Sequence, residues 1–297
     1  MTTGHAPLYV PLGSHHTLTY AEGSQLNSTP HTGATDTSIP KDWSNMDAEL
    51  FENFDSFRIT TQTDPDVSIY GLKSKGSTTE LPGLLLLHGF PQSRHIWHRV
   101  APLLVDKYSV VIIDIRGYGE SSKPEAVAAY AKSAMARDCA VVMQELGFEG
   151  FYVCAHDRGA RVAHKLCVDY PQRVRKAILL DICPTLAMYS STDVRFATAY
   201  FHWFFLIQQE PLPETLISSN PRTYAELTMG VRQKDGLKIF NEGCFDYYVK
   251  SLGDPATVHA SKCASCFITS RPISQVFCYA TISELQKLTC CTLHSVQ

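Results

Sequence analysis

No stretch of this 297-residue chain comes near the roughly 18 consecutive apolar residues a bilayer-spanning helix needs, so a helical membrane span is excluded. Lys/Arg-rich blocks are missing too. Lys and Arg total 26 against 29 Asp and Glu, a net charge of −3, and with no basic face to track a phosphate backbone, nucleic acid is not an expected partner. The opening residues Met1-Thr2-Thr3-Gly4-His5 have no basic region followed by an apolar stretch, so no export leader is read there. These absences predict a soluble, cytoplasmic protein. Internal repeats and low-complexity tracts are also lacking. Hydrophobic residues at 44% and charged residues at 19% supply a sizeable core and exclude a disordered composition.

Ten cysteines are present, and their distribution matters more than their number. Cys139, Cys154, Cys167, Cys183 and Cys244 stand singly in apolar segments, which predicts buried free thiols in a reducing compartment. Cys263, Cys266, Cys278, Cys290 and Cys291 crowd into the last 35 residues.

Residues 1–48 are rich in Thr, Ser, His, Gly and Pro without a period of 2 or 3.6, and read as a flexible extension. Alternation at Phe57-Arg58-Ile59-Thr60 and Val67-Ser68-Ile69-Tyr70 predicts half-buried strands. The run Gly83-Leu84-Leu85-Leu86-Leu87 suits a central strand covered on both faces. Further strands are predicted at Val110–Ile113, Phe151–Cys154 and Ala177–Leu180, with helices at about 131–146 and 159–170, the latter stopped by Pro171. Strands alternating with helices define an α/β class with a mostly parallel sheet, whose working site lies beyond the carboxyl ends of the strands. Residues 49–183 form that core, and the aromatic, helical-looking stretch 184–260 reads as a lid over the strand ends.

Polar residues follow four of the strands: His88-Gly89-Phe90-Pro91, Asp114 to Gly119, Ala155-His156-Asp157-Arg158-Gly159, and Asp181. The third matches a nucleophile elbow, a sharp strand-to-helix turn that needs small flanking residues and pushes one side chain into the site. Here that residue is Asp157. A serine must be deprotonated before it attacks, whereas a carboxylate is ionised at neutral pH and can displace a leaving group from saturated carbon. The bland alternative is Asp157 as a helix cap, and for Asp181 a capping acid at a strand end. Arg158 and Arg161 share a helix face and can converge on one anion, gripping a carboxylate by paired hydrogen bonds. His202-Trp203 in the lid offers adjacent N–H donors for a leaving halide.

Together, His88-Gly89-Phe90-Pro91, Asp114–Gly119 and His156-Asp157-Arg158-Gly159-Ala160-Arg161 resemble the fluoroacetate dehalogenases and their haloalkane dehalogenase and epoxide hydrolase relatives, within the α/β-hydrolase superfamily. The likeness runs from about residue 50 to about 260. It implies an α/β-hydrolase fold with Asp157 as nucleophile, Asp181 as the acid that orients a histidine base, and the Phe90 and Arg158 amides lining the pocket. It further implies Arg158 and Arg161 as carboxylate grips and His202 and Trp203 as halide donors. The reaction implied is carbon–halogen cleavage of haloacetates, with no cofactor. Tyr200, Tyr247 and Tyr248 keep open epoxide hydrolysis, in which lid tyrosines protonate the leaving alkoxide.

Residues 261–297 depart from this pattern, with four charges, Lys262, Arg271, Glu284 and Lys287, no β-α-β pattern, and His294 as their one histidine. The last strands and the base are therefore expected to be lacking, with turnover impaired, and a non-catalytic hydrolase-like fragment is the remaining alternative. Cys263-x-x-Cys266 with Cys278, Cys290, Cys291 or His294 offers enough zinc ligands, but only one pair has ligand spacing, so no metal is expected. A small-molecule substrate is the expected partner, with a homodimer left open.

Overall fold

The computed structural model of the chain describes residues 43–76, 80–182, 185–230, 235–266 and 278–280. Alternating burial makes the sheet. β1 (Phe54–Thr63) and β2 (Asp66–Ser74) pair antiparallel, as the period-2 pattern predicts, and β2 then meets β4 (Ser109–Ile113) antiparallel. From there the sheet is parallel, running β4, β3 (Gly83–Leu87), β5 (Phe151–His156), β6 (Val174–Leu180) and β7 (Cys278–Ala280). All five residues of β3 are buried. Leu85 and Leu87 face one core, with α2 (Lys132–Glu145) and α3 (Asp157–Asp169). Leu84 and Leu86 face the other, where Phe51, Trp97 and Ala101 cover the sheet. Each such leucine gains on the order of 2 kcal/mol from burial, which is why an unbroken apolar run sits at the sheet's centre.

Between β6 and β7 the lid is built of short helices: α4 (Thr185–Ser190), α5 (Val194–Ala199), α6 (Phe201–Phe205), α7 (Leu212–Ser219), α8 (Pro221–Ala225) and α9 (Glu242–Leu252). They share an apolar cluster around Leu206, Ile217, Phe245 and Leu252. Helix α10 (Pro255–Cys266) then packs Ala260, Cys263 and Ala264 into the same core as α2 and α3.

Three points differ from what the sequence suggests. The expected extension is structured at its end, where a short 3-10 turn, Trp43–Asn45, leads into α1 (Met46–Leu50). Residues 1–42 lie outside the described residues. Helix α10 crosses the boundary expected at 260, and β7 adds a strand in a segment whose sequence shows no β-α-β pattern. Cys139, Cys154, Cys167, Cys244 and Cys263 are buried and not joined in disulfides, while Cys183, Cys290, Cys291 and His294 lie outside the described residues. No described helix is long and apolar enough to cross a membrane.

Candidate active site

Strand β5 delivers its chain into a tight bend at Asp157, whose φ of 47° lies in the left-handed region that Asp and Asn tolerate far better than branched residues. The next turn has no room for a side chain. A Cβ on Gly159 would stand 2.2 Å from the His88 carbonyl oxygen, and one on Gly89 2.5 Å from Asp157 Cβ, so helix and loop close directly onto the strand end. Backbone cannot yield as a flexible side chain can. Gly159→Ala is therefore expected to cost about 3 kcal/mol, a drop on the order of 10 °C in a thermal melt, and an unchanged melt would show the packing to be looser than this.

Asp157 is not the helix cap. His156 occupies that position, and Asp157 Oδ1 accepts the Phe90 N–H at 2.9 Å, across the site. Burial alone would raise the Asp157 carboxyl, but the charges of Arg158 and His156, the Phe90 hydrogen bond and the charge of Arg161 outweigh it and hold the group below its ordinary 3.8. The Asp157 carboxyl is thus ionised across the neutral range. Because the folded value is depressed, both the reactive form and its contribution to stability persist as pH falls to the ordinary carboxylate range, and are lost below it. Alkylation of Asp157, followed by mass spectrometry from pH 8 to 5, is expected to keep a constant rate. A rate that halves near pH 6 would contradict this.

Arg158 and Arg161 are 2% and 4% exposed. Their guanidinium carbons lie 5.4 and 4.2 Å from the centroid of the Trp203 ring, on α6, which brings the lid down over α3. Both terminal nitrogens of Arg158 and all three guanidinium nitrogens of Arg161 are buried without a hydrogen-bond partner among the described residues. Burial and the neighbouring charge of Arg158 hold Arg161 below its ordinary value, against the pull of Asp157. Stacking on an aromatic face returns only about 0.5–2 kcal/mol, so the pair is costly until an anion joins it.

The sequence-predicted residues divide accordingly. Asp157, Phe90, Arg158, Arg161 and Trp203 are brought together. His202 sits beside Trp203 on α6, its ring among those of Tyr200, Phe201 and Trp203. Asp181 follows β6 with φ 52°, its side chain 73% exposed and 3.8 Å from His156 Nε2. His88 is structural: its Nε2 accepts the Ile115 N–H at 3.1 Å, and burial lowers its pKa to about 4, keeping it neutral. Asp114 receives the Arg94 N–H at 2.7 Å and the Glu120 N–H at 3.0 Å, with the Arg94 guanidinium also on it. Arg94 reaches on to Asp47 at 2.9 Å, so α1 is tied to the loop after β3. Arg116 pairs with Asp138 and is likewise architectural.

Two residues were missed. The Tyr189 and Tyr224 hydroxyls are buried, Tyr189 beside the Arg161 guanidinium, and neither makes a hydrogen bond of good geometry among the described residues. Tyr189 lies 6.2 Å from the Trp203 ring and Tyr224 6.5 Å from that of Phe90. Burial pushes the Tyr224 phenol well up, with the charge of Arg158 pulling it partly back. No spacing in the sequence sets them apart from other lid tyrosines. Tyr247, which the sequence offered instead, donates to Glu120 at 3.0 Å and meets His95 edge to face. Tyr248 packs with Met46 and Cys244.

A mostly parallel sheet with a sharp strand-to-helix elbow is the pattern of the α/β hydrolases, and residues 82–229 match the family model for the alpha/beta hydrolase fold. The chain belongs to this family. Among relatives, the fluoroacetate dehalogenase of Burkholderia sp is 45% identical over 185 residues, covering 61% of each chain. The soluble epoxide hydrolase of Corynebacterium sp. (strain C12) is 33% identical over 179 residues, covering 60% of this chain and 62% of that one. A crystal structure from Nostoc sp PCC 7120, assigned to the alpha/beta hydrolases, matches with a TM-score of 0.66 at 44% identity and 72% coverage of both chains. The chain spans about three fifths of the length of those two curated relatives.

Proposed function

We propose that this chain is a hydrolase in which Asp157 cleaves the carbon–halogen bond of a haloacetate. The observation that carries this reading is the pair of buried, unpartnered guanidiniums, Arg158 and Arg161, beside an ionised carboxylate. They hold the substrate carboxylate, and the Asp157 carboxylate attacks the α-carbon. The carbon–halogen bond breaks, the halide leaves with its electron pair, and an ester forms on Asp157. His202 and Trp203 are assigned to the halide. Water then attacks the ester carbonyl, releasing the hydroxyacid and restoring Asp157. That step needs a base oriented by an acid, and among the described residues Asp181, exposed and meeting His156 at 3.8 Å, does not hold one firmly. Ester hydrolysis is therefore the slow step.

The likeness to a fluoroacetate dehalogenase supports this assignment. Buried free thiols favour a reducing compartment, and we place the protein in the cytoplasm. Epoxide opening is the second reading, favoured by the buried Tyr189 and Tyr224 hydroxyls, which could protonate an alkoxide. Incubation with chloroacetate, fluoroacetate and styrene oxide separates the two. Halide release in a burst of about one equivalent per chain, with styrene oxide untouched, is expected; consumption of styrene oxide without halide release would overturn the dehalogenase assignment.

A further inference from the structure

We propose that Glu210, His259 and Cys263, with Glu214 beside them, form a Zn²⁺-binding site that fastens the start of lid helix α7 to α10. His259 and Cys263 are four residues apart on α10 and share a face; Glu214 lies in the first turn of α7, and Glu210 just precedes the Pro211 cap of that helix. The two pairs face one another. His259 Nδ1 lies 3.1 Å from Glu210 Oε1 and 3.8 Å from Glu214 Oε1, and Cys263 Sγ lies 3.4 Å from His259 Nε2. One donor atom each from Glu210, His259 and Cys263 falls within 4.8 Å of the others. Ligands on a tetrahedral zinc with bonds of 2.0–2.3 Å stand about 3.4–3.8 Å apart, so the set closes once Cys263 Sγ, now beside Nε2, turns toward the Nδ1 side that the two glutamates face.

Two further observations point to a cation. His259 Nε2 lies 2.8 Å from the Glu125 carbonyl oxygen, the outer contact that commonly fixes the tautomer of a metal-bound imidazole. Both Glu214 carboxylate oxygens are buried, and the nearest cationic groups, Lys262 Nζ at 3.5 Å and His259 Nδ1 at 3.8 Å from Oε1, stand farther off than a well-made hydrogen bond. A thiolate, an imidazole and carboxylates suit zinc, whereas calcium and magnesium take oxygen alone. Lys262 already reaches this face, 2.7 Å from Glu210 and 3.5 Å from Glu214, and is the cation that zinc must displace. Binding transfers the Cys263 thiol proton to solvent as the sulfur–zinc bond forms.

The test is titration of the reduced full chain with Co²⁺, followed by displacement with Zn²⁺. One equivalent of Co²⁺ is expected to give a thiolate-to-metal absorption band that Zn²⁺ abolishes, and Zn²⁺ is expected to raise the melting temperature. Cys263→Ser and His259→Ala should each weaken Zn²⁺ binding beyond the roughly 10–100-fold that losing an outer partner costs. Lys262→Met should tighten it, which a purely structural role for the cluster would not produce. Cys290→Ser/Cys291→Ser should leave binding unchanged. Absence of the band, or binding that survives Cys263→Ser and is lost with Cys290→Ser/Cys291→Ser, would overturn the site. If Cys263→Ser melts early without metal, the exposed Glu210→Gln decides, with unchanged affinity counting against the proposal.

Discussion

Asp157→Asn is expected to abolish halide release from chloroacetate, by at least about four orders of magnitude, because a neutral amide is a poor nucleophile at saturated carbon and no other group takes over. The variant should still fold. Asn accepts the left-handed backbone that Asp157 adopts at φ 47°, so the elbow survives. Loss of the negative charge beside Arg158 and Arg161 should lower the melting temperature by a few degrees, since the depressed pKa of Asp157 marks a stabilising carboxylate. The same loss should tighten chloroacetate binding in a thermal-shift titration, because the substrate carboxylate no longer competes with a fixed one. Halide release within tenfold of the unmodified chain would remove Asp157 from the chemistry.

Arg161→Met should separate binding from stability in opposite directions. Two charge-assisted hydrogen bonds of about 1.5–3 kcal/mol each correspond to roughly a 10²–10⁴-fold fall in kcat/KM, or in the alkylation rate constant, for chloroacetate. Neutral chloroacetamide should lose far less. Without ligand, the variant should melt a few degrees higher, because a buried charge whose desolvation and repulsion by Arg158 outweigh its attraction to Asp157 is replaced by an apolar chain on Trp203. If chloroacetate and chloroacetamide rates fell together, Arg161 would be acting on the fold of the site rather than on the anion.

Much of the sheet was legible because buried parallel strands are short apolar runs: Gly83–Leu87 is β3 with the bounds its turn signals give, and the helix expected at about 131–146 is α2. The two arginines were legible from their spacing, and the elbow from Gly159. Other parts depend on partners distant in the chain. Asp47 is an unremarkable acid in a polar stretch until Arg94 and His95 fold against it. Strand β7 is three residues long and exists through its pairing with β6, which no local pattern encodes. Tyr189 and Tyr224 are marked only by the absence of a well-made hydrogen bond, which becomes visible once the lid is in place. The face of the Trp203 ring beneath both guanidiniums is likewise a tertiary fact, where the sequence offered an N–H donor.

Haloacetates also alkylate cysteines, so the decisive measurement locates the label. The chain is treated with chloroacetate in ¹⁸O-water, digested, and the peptide carrying Asp157 is weighed. That peptide is expected to carry either one carboxymethyl group, as the trapped ester, or one ¹⁸O in its carboxylate after hydrolysis. Halide release with an unlabelled Asp157 and modification confined to cysteines would contradict a nucleophilic carboxylate at the elbow.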